Sequence, residues 1–302
     1  MSHVATFSLF VTSRLLRPFR LDLKRIDRKV DWLVSGEIDP ITYEYFANLR
    51  HVPTVSVNVA DAHFGILGFA FNRASPNPFV LAFENSVNSD GSSMGSVEAV
   101  LSSFYDEVQP RTALEVLDLP GQEAPGLQDV PASHWIAPWG TETVEQRAWR
   151  MRMWSIKDGL AEGKLLSMKD GLTSFGPVSR RKLALEVKRI AKLTESIRAN
   201  GFVTSNSGAP EVFGLRAGGE YRWFVIRGQH RFAACAALGI TAVRARVIKI
   251  VRREDVAVWP HVAGGTFKAS GALRLFDRLF AGQVSSCALP WAERNKPRPA
   301  RT

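Results

Sequence analysis

Apolar side chains recur at helical spacing in one long segment, residues 179–201. They form a single stripe made of Leu183, Val187, Ile190, Leu193 and Ile197. Most of the Lys and Arg residues of the segment lie off this stripe. Ser179 is a suitable N-cap and the pair Asn200-Gly201 a suitable stop. The pattern therefore predicts an amphipathic helix with a basic outer surface.

The chain that follows changes to strand periodicity. "EVFGLR" and "YRWFVI" flank the turn sequence "AGGE", which predicts a β-hairpin. Residues 229–238 are alanine-rich and end at a glycine, which indicates a helix. In "AVRARVIKIV", Val243, Ala245 and Val247 alternate with arginines, as in a strand with one buried and one cationic face. Helix, hairpin, helix and strand together predict a compact α/β unit.

The N-terminal part gives weaker patterns. "TVSVNVADAHFGILGFAF" and "PFVLAFE" are rich in β-branched and aromatic residues and predict strands. "GSVEAVLSSFYDEVQPRTALEVLDL" predicts helix, interrupted at Pro110. The expected fold class is α/β (α+β). Its expected parts are an acidic mixed α/β region at 1–118, a Pro/Gly-rich linker at 119–140, a domain at 141–255, and a helical extension with a basic tail at 256–302.

Charge separates the two halves of the chain. Residues 1–140 contain 10 Lys/Arg and 16 Asp/Glu, whereas residues 141–302 contain 29 and 13, which leaves +10 overall. A basic half of this kind suits phosphates, nucleic acid or anionic membrane surfaces. The two cysteines, Cys235 and Cys287, build no disulfide framework, and no transmembrane segment or secretory signal is evident. We therefore expect a cytoplasmic protein with a packed core.

The stretch "VIRGQHRFAACAALG" places polar side chains where a strand meets a helix. A helix N-terminus exposes backbone N–H groups and the positive end of the helix dipole, and Gly228 permits close approach of a ligand. The amides of Gln229, His230 and Arg231 are expected to point outward together. The His230 ring and the Arg231 fork add donors suited to phosphate oxygens. The segment thus predicts a nucleotide phosphate site.

"LTESIRANGFV…PEVFGLRAGGEYRWFVIRGQHRFAACAALGITAVRARVI" resembles the core of the ParB/sulfiredoxin superfamily, over roughly residues 183–250. The resemblance implies that Gly228, His230 and Arg231 line a phosphate-binding turn. It implies ATP, ADP or CTP as cofactor, with Mg²⁺ as a further possibility. The pieces "FGPVS", "FYDEVQP" and "RREDVAVWP" resemble larger ParB-like proteins of bacterial surface-polysaccharide gene clusters.

The chain departs from the characterised members of that superfamily. Sulfiredoxins carry their reactive cysteine where this chain has Gln229, and Cys235 lies too far into the helix to replace it. Chromosome-partition members, which hydrolyse CTP, carry Gly-Glu-Arg-Arg at the turn. Free-serine kinases carry Asp-Gly-His-His-Arg, where this chain has Arg227 for the Asp and Gln229 for the first His. The reaction therefore stays open.

Phosphoryl transfer to a small hydroxylated substrate needs a carboxylate base. Asp170 and Glu186 are the candidates, with Asp170 more simply read as a turn residue before glycine. Ser93 formally fits a Gly-x-Ser-x-Gly elbow but follows a polar loop instead of a strand. No motif predicts a metal held by protein ligands alone.

Two further hypotheses stay open beside a nucleotide-dependent phosphotransferase or nucleotide hydrolase. One is a non-enzymatic nucleotide-sensing regulator or scaffold of envelope assembly. The other is ParB-like nucleic-acid binding through the basic C-terminal half, around Lys188, Lys192, Arg244 and Arg246. The absence of a recognisable recognition-helix motif disfavours this last hypothesis.

Overall fold

The computed structural model describes residues 54–88, 94–201 and 209–296. All of them belong to one compact unit. Ser93, residues 1–53 of the predicted N-terminal region and residues 297–302 of the predicted basic tail lie outside the described residues.

One six-stranded mixed sheet forms the centre of this unit. Its strands are β1 (Thr54–Asn58), β2 (Ala62–Phe64), β3 (Phe69–Ala70), β4 (Glu211–Ala217), β5 (Glu220–Arg227) and β6 (Ala242–Arg252). The order across the sheet is β1-β6-β4-β5-β2-β3. β4 runs parallel to β6 and β2 runs parallel to β5, whereas the other neighbouring pairs are antiparallel. The expectation of a mixed α and β fold is confirmed at this level.

Helices and short turns surround the sheet. The described α-helices are α1 (Pro78–Asn88), α2 (Met94–Glu107), α3 (Ala113–Leu117), α4 (Val144–Leu160), α5 (Arg180–Asn200), α6 (Gln229–Ala237), α7 (Pro260–Ala263), α8 (Ala269–Phe280) and α9 (Leu289–Arg294). Among the described residues, no helix has the length and apolar character needed to cross a membrane.

The predicted elements of the C-terminal half are confirmed. The hydroxyl of Ser179 accepts the N–H of Lys182 and caps the start of α5, and Gly201 is the C-cap at its other end. The hairpin β4–β5 turns at Gly218-Gly219. In β6, the alternate residues Val243, Ala245 and Val247 are buried in the core, so the period-two pattern separates a core face from a cationic face.

The prediction of a strand at "PFVLAFE" is wrong, since this segment forms helix α1. Asn77 Oδ1 accepts the N–H groups of Phe79 and Val80, at 3.0 and 3.4 Å, and thereby caps the helix. Pro78 suits the first helical position, where its missing N–H costs nothing. The buried side chains include Phe79, Val80, Ala82 and Phe83. These residues share one face of the helix, but in the sequence they form a short continuous apolar run with Leu81, and such a run fits a strand equally well.

Residues 119–140 are packed against the core. They contain short 3-10 turns and bury Leu119, Ala124, Leu127, Ala132, Ile136 and Trp139. N-terminal strands also pair with C-terminal ones, as β1 does with β6. Helices beyond residue 256 contact the N-terminal part as well, since Trp291 Nε1 donates to the carbonyl of Pro76 at 2.9 Å. The proposed boundaries near 118, 140 and 255 therefore do not coincide with breaks between compact units in the described chain.

Candidate functional site

Gly228 joins β5 to α6 in a conformation that favours glycine. Its φ is 92° and its ψ 22°, in the left-handed region, and it stands at the N-cap of α6. A Cβ atom at this position would lie 3.1 Å from the Cβ of Pro210. Both the backbone angle and the close neighbour account for glycine here.

The amides after Gly228 differ in availability. The N–H of Arg231 donates to the carbonyl of Gly228 at 2.9 Å, and the N–H of Phe232 donates to the same oxygen at 3.1 Å. The expectation that three amides point outward together therefore does not hold for Arg231. Gln229 and His230 precede the first hydrogen bond of the helix, so their N–H groups have no acceptor within it.

His230 is oriented by the neighbouring helix α5. Its Nε2 lies 2.7 Å from Oε2 of Glu186. Neither atom meets the geometry of a hydrogen bond to any partner among the described residues, so the contact is a close approach of a ring nitrogen to a carboxylate oxygen. The edge of the ring also packs against Phe79, with centroids 4.9 Å apart. Glu186 and Phe79 together fix the ring at the start of α6.

Glu186 lies at the centre of a buried ion cluster. Its side chain is fully buried. Oε1 lies 2.6 Å from Lys182 Nζ and 3.2 Å from Arg189, both one turn away on α5. It also accepts a hydrogen bond from the hydroxyl of Thr173 at 3.3 Å. Both oxygens are therefore engaged by donors or cations.

A second carboxylate completes the cluster. Asp158 of α4 pairs with Lys182, and its Oδ1 lies 2.6 Å from Arg189. Two carboxylates thus face one Lys and one Arg, and His230 stands at the edge of the group. Because the opposite charges are balanced, burial of the group is tolerable. We call these residues, Asp158, Lys182, Glu186, Arg189 and His230, the ion cluster.

The electrostatics of the ion cluster follow from burial and pairing. Burial alone would raise the pKa of Glu186, but the charges of His230, Lys182 and Arg189 outweigh it and hold that pKa well below its usual range. The buried Tyr105 donates its hydroxyl to the carbonyl of Thr173 at 3.2 Å. Burial first, and the charge of Glu186 second, raise the pKa of this tyrosine well above its usual value. Glu186 is therefore a carboxylate, and Tyr105 a neutral phenol, at neutral pH.

Cations gather on the solvent side of the turn. Arg227 precedes Gly228 and its side chain is 71% exposed. Arg231 is half-buried, and its pKa is lowered first by burial and then by the positive charge of Arg227. Glu211 lies beside Arg227 and Arg246 in the strand register, at 3.6 and 3.7 Å from them. Arg227 and Arg246 thus flank one acidic side chain, and Arg231 adds a further positive charge near Arg227.

The two predicted carboxylates have separate places in the structure. Glu186 reaches the turn through His230, whereas Asp170 belongs to the loop before α5. Asp170 accepts hydrogen bonds from the hydroxyl of Ser179 at 2.8 Å and from the N–H of Ser167 at 2.9 Å. These contacts describe a structural turn residue. Cys235 is buried, and burial raises the pKa of its thiol to about 12, as expected of a packing residue.

Sequence reasoning missed four residues around the site. Lys182 and Arg189 carry a usable signal, since they stand four and three residues from Glu186 on one helix. Asp158 and Glu211 carry none, because only the tertiary contact of α4 with α5 and the strand register bring them in.

Among the described residues, no group of three or more His, Cys, Asp or Glu side chains is arranged to hold a metal ion. Comparisons with protein-family models, curated proteins and solved structures yield no match for this chain. The resemblance stated above therefore stays a prediction.

Proposed function

We propose that this protein binds a nucleotide through its phosphates at the start of α6, on a ParB/sulfiredoxin-like core. The observation that carries the proposal is the conformation of Gly228, which opens α6 with a left-handed residue directly after a strand. The free amides of Gln229 and His230 then share one end of the helix with the side chains of Arg227 and Arg231. Backbone donors, a helix dipole and two guanidinium groups are a combination suited to an anionic phosphate chain.

The ion cluster orients the side chain of His230 at this site. Since Glu186 fixes Nε2 of His230, the other ring nitrogen, Nδ1, is left for a ligand. Phe79 and Glu186 already hold the ring of His230 in place. No further side-chain entropy is therefore lost in ordering this ring when a ligand binds. The proposed nucleotide is ATP, ADP or CTP, and any Mg²⁺ would be held chiefly by the phosphates of that nucleotide.

The environments of the nearby carboxylates favour nucleotide binding without hydrolysis or phosphoryl transfer. Glu186 is buried among cations and is a weak base, and Asp158 is paired with Lys182 and Arg189. The ion pairs of Glu211, at 3.6 and 3.7 Å, are longer than those of Glu186 and Asp158. Glu211 is therefore the candidate base if phosphoryl transfer or nucleotide hydrolysis takes place. A nucleotide-sensing regulator of envelope polysaccharide metabolism is therefore proposed ahead of a phosphotransferase.

Calorimetric titration of the full chain with ATP, ADP and CTP, with and without Mg²⁺, tests the proposal. We expect saturable binding of at least one nucleotide, and a loss of about tenfold or more in affinity for Arg231→Ala, since charged hydrogen bonds contribute about 1.5–3 kcal/mol each. Arg274→Ala, an exposed arginine of α8, is the matched control. Absence of binding for every nucleotide would reject the site. Phosphate release that depends on Glu211 would favour the enzyme over the sensor.

A further inference from the structure

Helix α4 carries an apolar stripe on its solvent-exposed side. Trp149 is 55% and Leu160 42% exposed. Met153 and Ile156 stand between them at helical spacing and are partly exposed. The stripe extends over about 16 Å of helix. Contiguous apolar surface of this kind on a helix indicates an interaction site.

The opposite face of α4 already supplies its contribution to the core. Met151, Ser155 and Gly159 are the buried residues of the helix, spaced four apart. The N-terminus of the helix is also stabilised, since Thr143 and Gln146 form a reciprocal capping box. The exposed stripe is thus a second apolar face on a helix that is fixed in place by its first.

Cations stand on both sides of the stripe. By helical spacing, the exposed Arg152 lies on one side and the exposed Lys157 on the other. Arg150 lies on the Lys157 side, where its guanidinium is 5.9 Å from the ring centroid of Trp154, itself 47% exposed. Tryptophan and leucine between basic residues is the composition of helices that lie in the surface of an anionic membrane.

Most acidic residues of this segment face elsewhere. Asp158 turns inward to the ion cluster. Glu162, just after the helix, lies 3.6 Å from Lys188 and 3.5 Å from Lys192 of α5. Glu142, just before the helix, pairs with Arg150, and Glu145, in the first turn, adds a negative charge near one end of the stripe. The charge beside the apolar side chains is therefore mainly positive.

From these observations we infer that α4 is a docking surface for an anionic lipid bilayer, with Trp149 and Leu160 entering the headgroup region and Arg152 and Lys157 contacting lipid phosphates. A second copy of the chain fits the surface less well. Pairing two such helices face to face would bring the flanking cations of one copy against those of the other. A lipid surface meets both the apolar stripe and its charged borders.

Flotation of the full chain with vesicles tests this inference. Vesicles of equal parts phosphatidylcholine and phosphatidylglycerol are compared with vesicles of phosphatidylcholine alone. We expect binding to the anionic vesicles only, weakened by high salt because the lipid surface potential is screened. The double variant Trp149→Ser/Leu160→Ser and the double variant Arg152→Glu/Lys157→Glu should each lower the partition coefficient by about tenfold or more.

Two matched controls separate this surface from general stickiness. Val258→Ser removes an exposed apolar side chain elsewhere, 73% exposed, and Arg274→Glu reverses an exposed charge on α8. Both should bind vesicles like wild type, and all variants should keep the wild-type melting temperature. Equal binding by the α4 variants and wild type, or no binding to anionic vesicles, would overturn the inference. So would a dimer in lipid-free solution that Trp149→Ser dissociates.

Discussion

Replacement of Glu186 by glutamine is the most direct test of the ion cluster. Glutamine keeps the size of the side chain but removes its charge. Lys182, which is also almost fully buried, then loses a partner at 2.6 Å, and Arg189 loses one at 3.2 Å. His230 loses the carboxylate oxygen that faces its Nε2. The buried site is left with an excess of positive charge.

The size of the effect follows from burial and from what remains. Breaking a buried ion pair by removing one partner costs about 3–5 kcal/mol. Asp158 still faces Lys182 and Arg189 and is partly exposed to water, so we expect the lower end, a loss of about 3 kcal/mol in the free energy of unfolding. This corresponds to a fall of roughly 5–10 °C in melting temperature.

Glu195→Gln provides the matched control, since Glu195 is exposed on the same helix. Its effect should stay within about 0.5 kcal/mol. Urea unfolding of wild type and both variants, followed by tryptophan fluorescence and circular dichroism, gives the free energies. Addition of Lys182→Met completes a double-mutant cycle, in which coupling above about 1 kcal/mol is expected for contacting charges. A Glu186→Gln protein as stable as the Glu195→Gln protein would refute the account of the cluster.

Three other expectations concern acid stability, backbone conformation and thiol reactivity. The pKa of Glu186 is lower in the folded chain than in the unfolded one. The ionised carboxylate therefore stabilises the fold above the unfolded pKa, and this contribution is lost as the pH falls below about 4.5. In urea titrations, the free energy of unfolding of Glu186→Gln should fall less with acid than that of wild type. Gly228→Ala should lower the free energy of unfolding by about 1–2 kcal/mol, because alanine disfavours the left-handed region, and thermal unfolding that matches wild type would contradict this. Cys235, whose buried thiol has its pKa raised to about 12, should react with a maleimide only after unfolding, so labelling of the native protein at this residue, detected by mass spectrometry, would disprove its packing role.

Much of the C-terminal secondary structure is predictable because its signals are local. Ser179, Gly201 and the apolar stripe between them predict the limits of α5 from neighbouring residues alone. The turn at Gly218-Gly219 and the helix after Gly228 are likewise encoded within a few positions. The segment of helix α1 predicts a strand because a short continuous apolar run fits a buried strand and a buried helix equally.

The partners of these elements depend on contacts between distant parts of the chain. Nothing near β1 predicts that it pairs with β6, or that residues 119–140 pack against the core instead of linking two domains. The sequence alone is sufficient to single out Gly228, His230 and Arg231 as candidates, since a strand–glycine–helix turn is a local pattern. That Glu186 meets His230, and that Asp158 balances the buried cations, was decided only by the packing of α4, α5 and α6. Ion pairs between separate helices leave no periodic trace in a sequence, because each partner satisfies only the spacing of its own helix.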